Sequence, residues 1–260
     1  MELKDLLSEK NEELYKEITN TCKVFLKKNN DDDNVSWKVE YKDTYANIYY
    51  SESQHPEEAF VHELLHIYIQ IKGYHKPHWI IPKDNMDKLD LLSKFVSIPL
   101  DNELQHHKMF KKYLELGYNA DYFYNDNDQK EVREHILEFI NGRIDDNIYM
   151  LTQYLTVIAP FGEKTFDNLE EIKSQIKNKS DLDFKHLCEN VENRIIAWQN
   201  DDTYNNETVI KDIISYIPFM GNFCIKYNDN FIKQDKDIFR DLPFKYKCKI
   251  NNGEYEIKFL

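Results

Sequence analysis

The sequence predicts an α+β protein, predominantly helical, and three observations carry that expectation. Apolar residues recur at helical spacing through most of the chain, and most clearly from Gln129 onward. A short alternating stretch, Trp37, Val39 and Tyr41 between Lys38, Glu40 and Lys42, has the period of a half-buried strand, and Ala46 to Tyr50 reads as a second. Near the end, Phe244 to Ile250 and Tyr255 to Leu260 flank Asn251-Asn252-Gly253-Glu254, which has hairpin-turn chemistry.

The elements follow in order. Leu3, Leu7, Leu14, Ile18, Cys22 and Phe25 repeat at helical spacing and predict a helix over 2–28. Asn29 to Asn34 is an acidic turn, and Asp43 with Thr44 breaks the two strands apart. Pro56 suits a first helical turn, where its missing N–H costs nothing, and Glu57 and Glu58 favour the positive end of the helix dipole. The helix they open is apolar on most sides through Ile71 and stops at Gly73. Tyr74 to Trp79, closed by Pro82, is irregular. Asp84 can cap a helix running through Leu89, Leu92 and Phe95, Pro99 interrupts, and Asp101 caps a further helix that ends at Gly117. Tyr118 to Asp128 reads as a loop. Helices are then expected over 129–144, 146–158, 166–177, 182–199 and 206–217. The division expected is 1–125 and a mainly helical 126–260, packed as one unit or as two.

Composition excludes several classes of function. The chain has 260 residues, 41% of them hydrophobic and 14% aromatic, enough for a substantial core. Its formal net charge of −13 argues against nucleic acid as a partner, because phosphate binding needs basic patches. Cys22, Cys188, Cys224 and Cys248 are scattered without a C-x-x-C pair and read as isolated reduced thiols. Met1 to Asp5 is charged, without an apolar signal core, and no stretch is apolar enough to span a bilayer; a cytoplasmic protein, with no membrane partner, is expected. Abundant Asn, Lys, Ile and Asp with only six glycines suggest an AT-rich bacterial source.

One pattern carries chemistry. His62-Glu63-Leu64-Leu65-His66 spells H-E-x-x-H inside the predicted helix. Positions four apart share a helical face, so His62 and His66 can grip one metal ion with Glu63 beside them. The plainer alternative is a pair of core histidines with ordinary partners. Catalytic zinc usually takes three protein ligands and leaves the fourth position to water. The extended form H-E-x-x-H-x-x-G-x-x-H is excluded, because Ile69 and Lys72 stand where it needs Gly and His. The third ligand is expected to be His106, with Glu103 as the alternative ligand or as a carboxylate behind it, and Asn102 placed to orient the His106 ring. His107 points about a quarter-turn away, and His75 and His78 read as loop histidines.

The segment Val61 to His66 with its helix, then a helix bearing Asn102 and His106, then Leu116-Gly117-Tyr118, resembles prokaryotic zincin-like metallopeptidases over the first half of the chain. The resemblance implies a helix, a short sheet, the H-E-x-x-H helix and a helix giving the third ligand, matched here by 2–28, 37–50, 56–72 and 101–116. The family's third ligand is Glu, His or Asp, so the resemblance leaves His106 and Glu103 open. It implies a zinc-dependent peptidase acting on a peptide or protein. Zinc held by His62, His66 and His106 acidifies a water, and Glu63 takes the proton and passes it to the leaving amine. Tyr118, Tyr122, Tyr124 and His107 are candidates to share the oxyanion. The alternative is an inactive zincin whose helical second half binds a partner.

Overall fold

In the computed structural model the described residues are 1–29, 37–42, 44–82, 94–124, 126–142, 147–160, 166–217, 223–227, 245–250 and 253–258. They form an α+β molecule that is mainly helical, with eight α-helices and a three-stranded sheet beside the motif helix. Helix α1 is Glu12–Thr19, β1 is Lys23–Lys28, β2 is Lys38–Lys42, β3 is Tyr45–Tyr50 and α2, the motif helix, is Pro56–Ile71. Strand β4 is Pro77–Pro82 and α3 is Asp101–Glu115. The remaining helices are α4 (Asp126–Asn141), α5 (Asn147–Val157), α6 (Leu169–Lys177), α7 (Leu182–Asn200) and α8 (Glu207–Tyr216). Strands β5 (Phe223–Tyr227), β6 (Lys245–Ile250) and β7 (Gly253–Lys258) follow.

The expected helix over 2–28 is a correction. It is a short helix, α1, that buries Leu14 and Ile18, followed by strand β1. In Lys23–Lys28, Val24 and Leu26 turn partly inward while Lys23, Phe25 and Lys27 are exposed, a period of two that the apolar Phe25 disguised as helical spacing. β1 pairs parallel with β3, placing Leu26 opposite Ile48, and β2 pairs antiparallel with β3, placing Val39 opposite Ile48. The sheet order is therefore β1-β3-β2, with β3 in the centre and its Ala46 and Ile48 fully buried. β2 is an edge.

Helix α2 forms for the reasons its sequence advertises. Pro56 sits in its first turn with Glu57 and Glu58, and Ala59, Phe60, Val61, Leu64, Leu65, Ile67 and Ile69 are buried. Gly73, at φ +107°, ends it: the Gly73 N–H donates to the Gln70 carbonyl at 3.1 Å and the Tyr74 N–H to Ile69 at 2.9 Å. This paired closure needs a left-handed residue, which glycine adopts without a Cβ clash. α3 ends the same way at Gly117, φ +84°.

Two further expectations change. The stretch Tyr74 to Trp79 is not wholly irregular, because Pro77–Pro82 pairs antiparallel with Phe223–Tyr227, a partner far away in sequence. Pro99 does not interrupt: a wide helical turn, Val96–Leu100, absorbs it and runs straight into α3. Asp101 is consequently no cap, and its side chain turns inward. Tyr118 to Asp128 contains a short turn at Ala120–Tyr122 and already enters α4 at Asp126. The expected cap at Asp84 with its helix through Leu89 and Leu92, most of the Asn29 to Asn34 turn, the break at Asp43, Phe244, and the turn residues Asn251 and Asn252 lie outside the described residues. β6 and β7 pair antiparallel, with Ile250 opposite Gly253.

Three sets of contacts place the site helix. α2 packs on α1, on the sheet and on α3. α3 is held from behind by α7, where the Trp198 indole N–H donates to the Leu104 carbonyl at 3.3 Å. Lys108 donates to the Asp201 carbonyl, and its ammonium lies 4.2 Å over the Trp198 ring. No helix among the described residues is long and apolar enough to cross a membrane.

Candidate metal centre

The i, i+4 spacing on α2 places the two motif imidazoles side by side, with His62 Nε2 3.2 Å from His66 Nε2. α3 crosses α2 and delivers His106, 6% exposed, so that one ring nitrogen from each of the three histidines lies within 4.8 Å of the others. The expected third ligand is thus brought to the motif. Two ligands of a tetrahedral zinc, each at ~2.0–2.1 Å, stand about 3.3 Å apart, which is the separation His62 and His66 already have.

The surroundings keep these rings neutral. Burial lowers His62 to about 3, the neighbouring His66 adds to the effect, and the Phe123 backbone opposes it. Burial lowers His66 to about 4 against its hydrogen bond to Gln105, with the Lys76 charge also unfavourable to protonation. Burial pushes His106 well below the ordinary value, helped by His62 and His66. Neutral imidazole is the form that offers a lone pair to a metal. Glu63, 6% exposed, is pushed up to about 8 by burial, which makes it a stronger base than a surface carboxylate.

His66 and His106 have polar partners behind them, whereas His62 Nδ1 is buried without a hydrogen bond among the described residues. His66 Nδ1 lies 2.8 Å from Gln105 Oε1. Gln105 Nε2 donates to Asp101 Oδ2 at 2.9 Å, and the Tyr74 hydroxyl donates to Asp101 Oδ1 at 2.7 Å. His106 Nδ1 is 3.4 Å from the Asn102 amide, 3.3 Å from the Tyr124 hydroxyl and 3.9 Å from Glu103 Oε1. Glu103 has its other oxygen buried without a hydrogen-bond partner, and burial raises its pKa to about 8. The Phe123 ring packs on His62 at 4.8 Å and on His106 at 5.7 Å, closing one side.

All of this faces a cavity of about 650 Å³. Trp37 and Val39 from the β2 edge form one wall, Ile98 and Pro99 from the wide turn another, and Tyr122 and Tyr124 stand at the third. His62, Glu63, His66, Glu103 and His106 all open on it. A cavity of this size with convergent polar groups is the general form of a small-molecule or substrate site.

Other sequence candidates lie elsewhere. Tyr118 donates to Glu57 Oε1 at 2.7 Å and accepts from Asn11 at 3.0 Å, in a bond set that ties the N-terminus to the start of α2. His107 turns toward Gln199 on α7, 3.3 Å away. The backbone of His75 is held on both sides by the Asn206 side chain, at 3.0 and 2.8 Å. The His78 side chain lies outside the described residues. Gln105, Asp101 and Tyr74 escaped the sequence reading. The one signal was that Asp101 and Gln105 are four apart on a helix whose next residue is His106.

Compared with known proteins, the chain matches no family model, and neither a curated protein nor a solved structure is found similar to it.

Proposed function

We propose that the protein is a zinc-dependent metallopeptidase, with His62, His66 and His106 as the metal ligands and Glu63 as the general base. The observation that carries the reading is the convergence of three neutral imidazoles, two half-buried and one buried, on the wall of a cavity that Glu63 also lines. A 3.2 Å contact between two histidines is also an N–H···N distance, so the motif pair alone would fit an ordinary core pair. The third ring and the open cavity favour the metal, because three lone pairs aimed at one point repel unless a cation lies between them.

His62, His66 and His106 would hold a divalent cation, whose Lewis acidity would acidify a water and polarise the scissile carbonyl. Glu63, which lines the same cavity, would take the proton of a water held there and return it to the departing amine. Tyr122 and Tyr124 line the cavity and can donate to the carbonyl oxygen as charge develops on it. β2, which ends the sheet among the described residues, stands beside the motif helix, where an extended peptide could lie alongside it.

The test has two arms. Purified protein loaded with zinc is expected to bind one ion per chain and to cleave members of a peptide mixture, followed by mass spectrometry. Glu63→Gln is expected to keep the zinc and lose cleavage by a factor on the order of 10²–10⁴. Cleavage at the unaltered rate in that variant ends the mechanism. Zinc uptake with no cleavage by the unaltered protein would favour the partner-binding alternative.

A further inference from the structure

The hydrogen bonds behind His66 have a direction. Asp101 receives Tyr74 on one oxygen at 2.7 Å and Gln105 on the other at 2.9 Å. Burial raises Asp101 to about 7, against the Lys76 charge and the hydrogen bonds from Tyr74 and Gln105, so above neutral pH it is a carboxylate with both oxygens accepting. A carboxylate only accepts, so it must face the NH₂ end of the Gln105 amide. The amide oxygen is then left pointing at His66 Nδ1, 2.8 Å away. An oxygen there requires hydrogen on Nδ1. Neutral imidazole carries a single N–H, so Nε2 holds the lone pair, and Nε2 is the atom 3.2 Å from His62. Tyr74 and Asp101 are 2% exposed and Gln105 6%, so each of these polar groups depends mainly on the others for its hydrogen bonds. His106 lacks such a device: its Nδ1 has an amide, a hydroxyl and a carboxyl at 3.3–3.9 Å, without one enforced donor or acceptor.

We propose that Tyr74, Asp101 and Gln105 are positioning residues: a directional relay that locks His66 in the Nδ1–H tautomer and so presents Nε2 to a cation. Its value to the protein rests on reading the histidines as metal ligands, but the tautomer itself belongs to the metal-free chain. The two claims can therefore fail separately. The relay also explains why a buried Asp–Gln pair sits on the same helix as His106: one element supplies a third ring and the orientation of the second.

The experiment reads the two ring nitrogens of His66 by long-range ¹H–¹⁵N NMR in the metal-free protein, and zinc affinity by competition with a chromophoric chelator. Unaltered protein is expected to show Nδ1 protonated and Nε2 bare. Asp101→Asn lets the Gln105 amide adopt either orientation, and Gln105→Leu removes the acceptor. Each is expected to mix the tautomers and to weaken zinc binding ~10- to 100-fold, the usual cost of losing such an outer partner. The double change Asp101→Asn with Gln105→Glu moves the carboxylate one link along. It again faces His66 with an acceptor, and the amide behind it donates to that carboxylate and accepts from Tyr74. It is expected to return zinc affinity to within about 3-fold of the unaltered protein, a rescue that general loosening of the helix would not allow. A His66 ring protonated on Nε2 in the unaltered protein overturns the proposal without any variant having to fold. So does zinc affinity within about 3-fold of normal in Asp101→Asn, or a double variant no better than the single. If His66 is locked as expected yet no zinc binds, the relay stands and the metallopeptidase reading falls.

Discussion

His106 and Glu103 share a face of α3 and both line the cavity, so substitution separates their roles. Glu103→Gln is expected to lower zinc affinity by no more than ~10- to 100-fold, as befits a carboxyl near His106 Nδ1. His106→Ala is expected to lose more than that, measured by titration calorimetry; the reverse order would make Glu103 the ligand. At this scale the sequence was legible where spacing alone dictates geometry. His62 and His66 had to share a face once Pro56 and Gly73 bounded a helix between them. The relay was not legible, because His66 and Gln105 lie 39 residues apart and meet only through the packing of α2 against α3. Asp101 looked like a helix cap since Pro99 looked like a break; the wide turn that absorbs the proline turned it into a buried acceptor.

Among the elements, the helices behind the site are tied by one carboxylate. Glu192 on α7 accepts from Tyr154 on α5 and from Lys173 on α6 at 2.7 Å, with Lys177 at 3.3 Å. Burial alone would raise its pKa, but the bonds from Lys173 and Tyr154 and the charges of both lysines outweigh it and hold Glu192 below the usual value. The sign follows. With the folded value depressed, the unfolded chain takes up a proton first as pH falls, so this stabilisation is full above the ordinary carboxylate range and disappears through the lowered value. Glu192→Gln is expected to cost about 1–3 kcal/mol at neutral pH. That cost should shrink toward nothing in strong acid, as read by urea denaturation at several pH values. A loss equal at every pH would assign Glu192 a packing role instead. Helices α4 to α8 lie close to where their apolar spacing placed them, because such spacing reports a buried stripe directly. Strand β1 was missed for the complementary reason: six residues are too few for period alone to choose between strand and helix, and the decision came from the β3 edge beside it.

For the whole molecule, the first and second halves of the sequence are joined through α3. Its Leu104, His107 and Lys108 meet Trp198, Gln199 and Asp201, and Tyr74, which bonds Asp101, lies 6.4 Å from the Trp198 ring. Zinc binding should therefore be felt globally. At a free concentration ~100 times its dissociation constant it adds about 2.7 kcal/mol, or roughly 5–10 °C in melting temperature for a chain of this size. Calorimetry with and without a chelator checks this, and an unmoved transition would mean that no ion is held by the folded state. The same arrangement has a bearing on synthesis. A chain leaving the ribosome displays His62, His66 and His106 long before it contains the tryptophan that braces their shared scaffold. Until about residue 201 has emerged, the bond from the Trp198 indole to Leu104 and the bond from Lys108 to Asp201 cannot form, and α3 rests on its packing against α2 without them. The scaffold behind His106 is therefore fully braced only after the segment that carries Trp198 has been made.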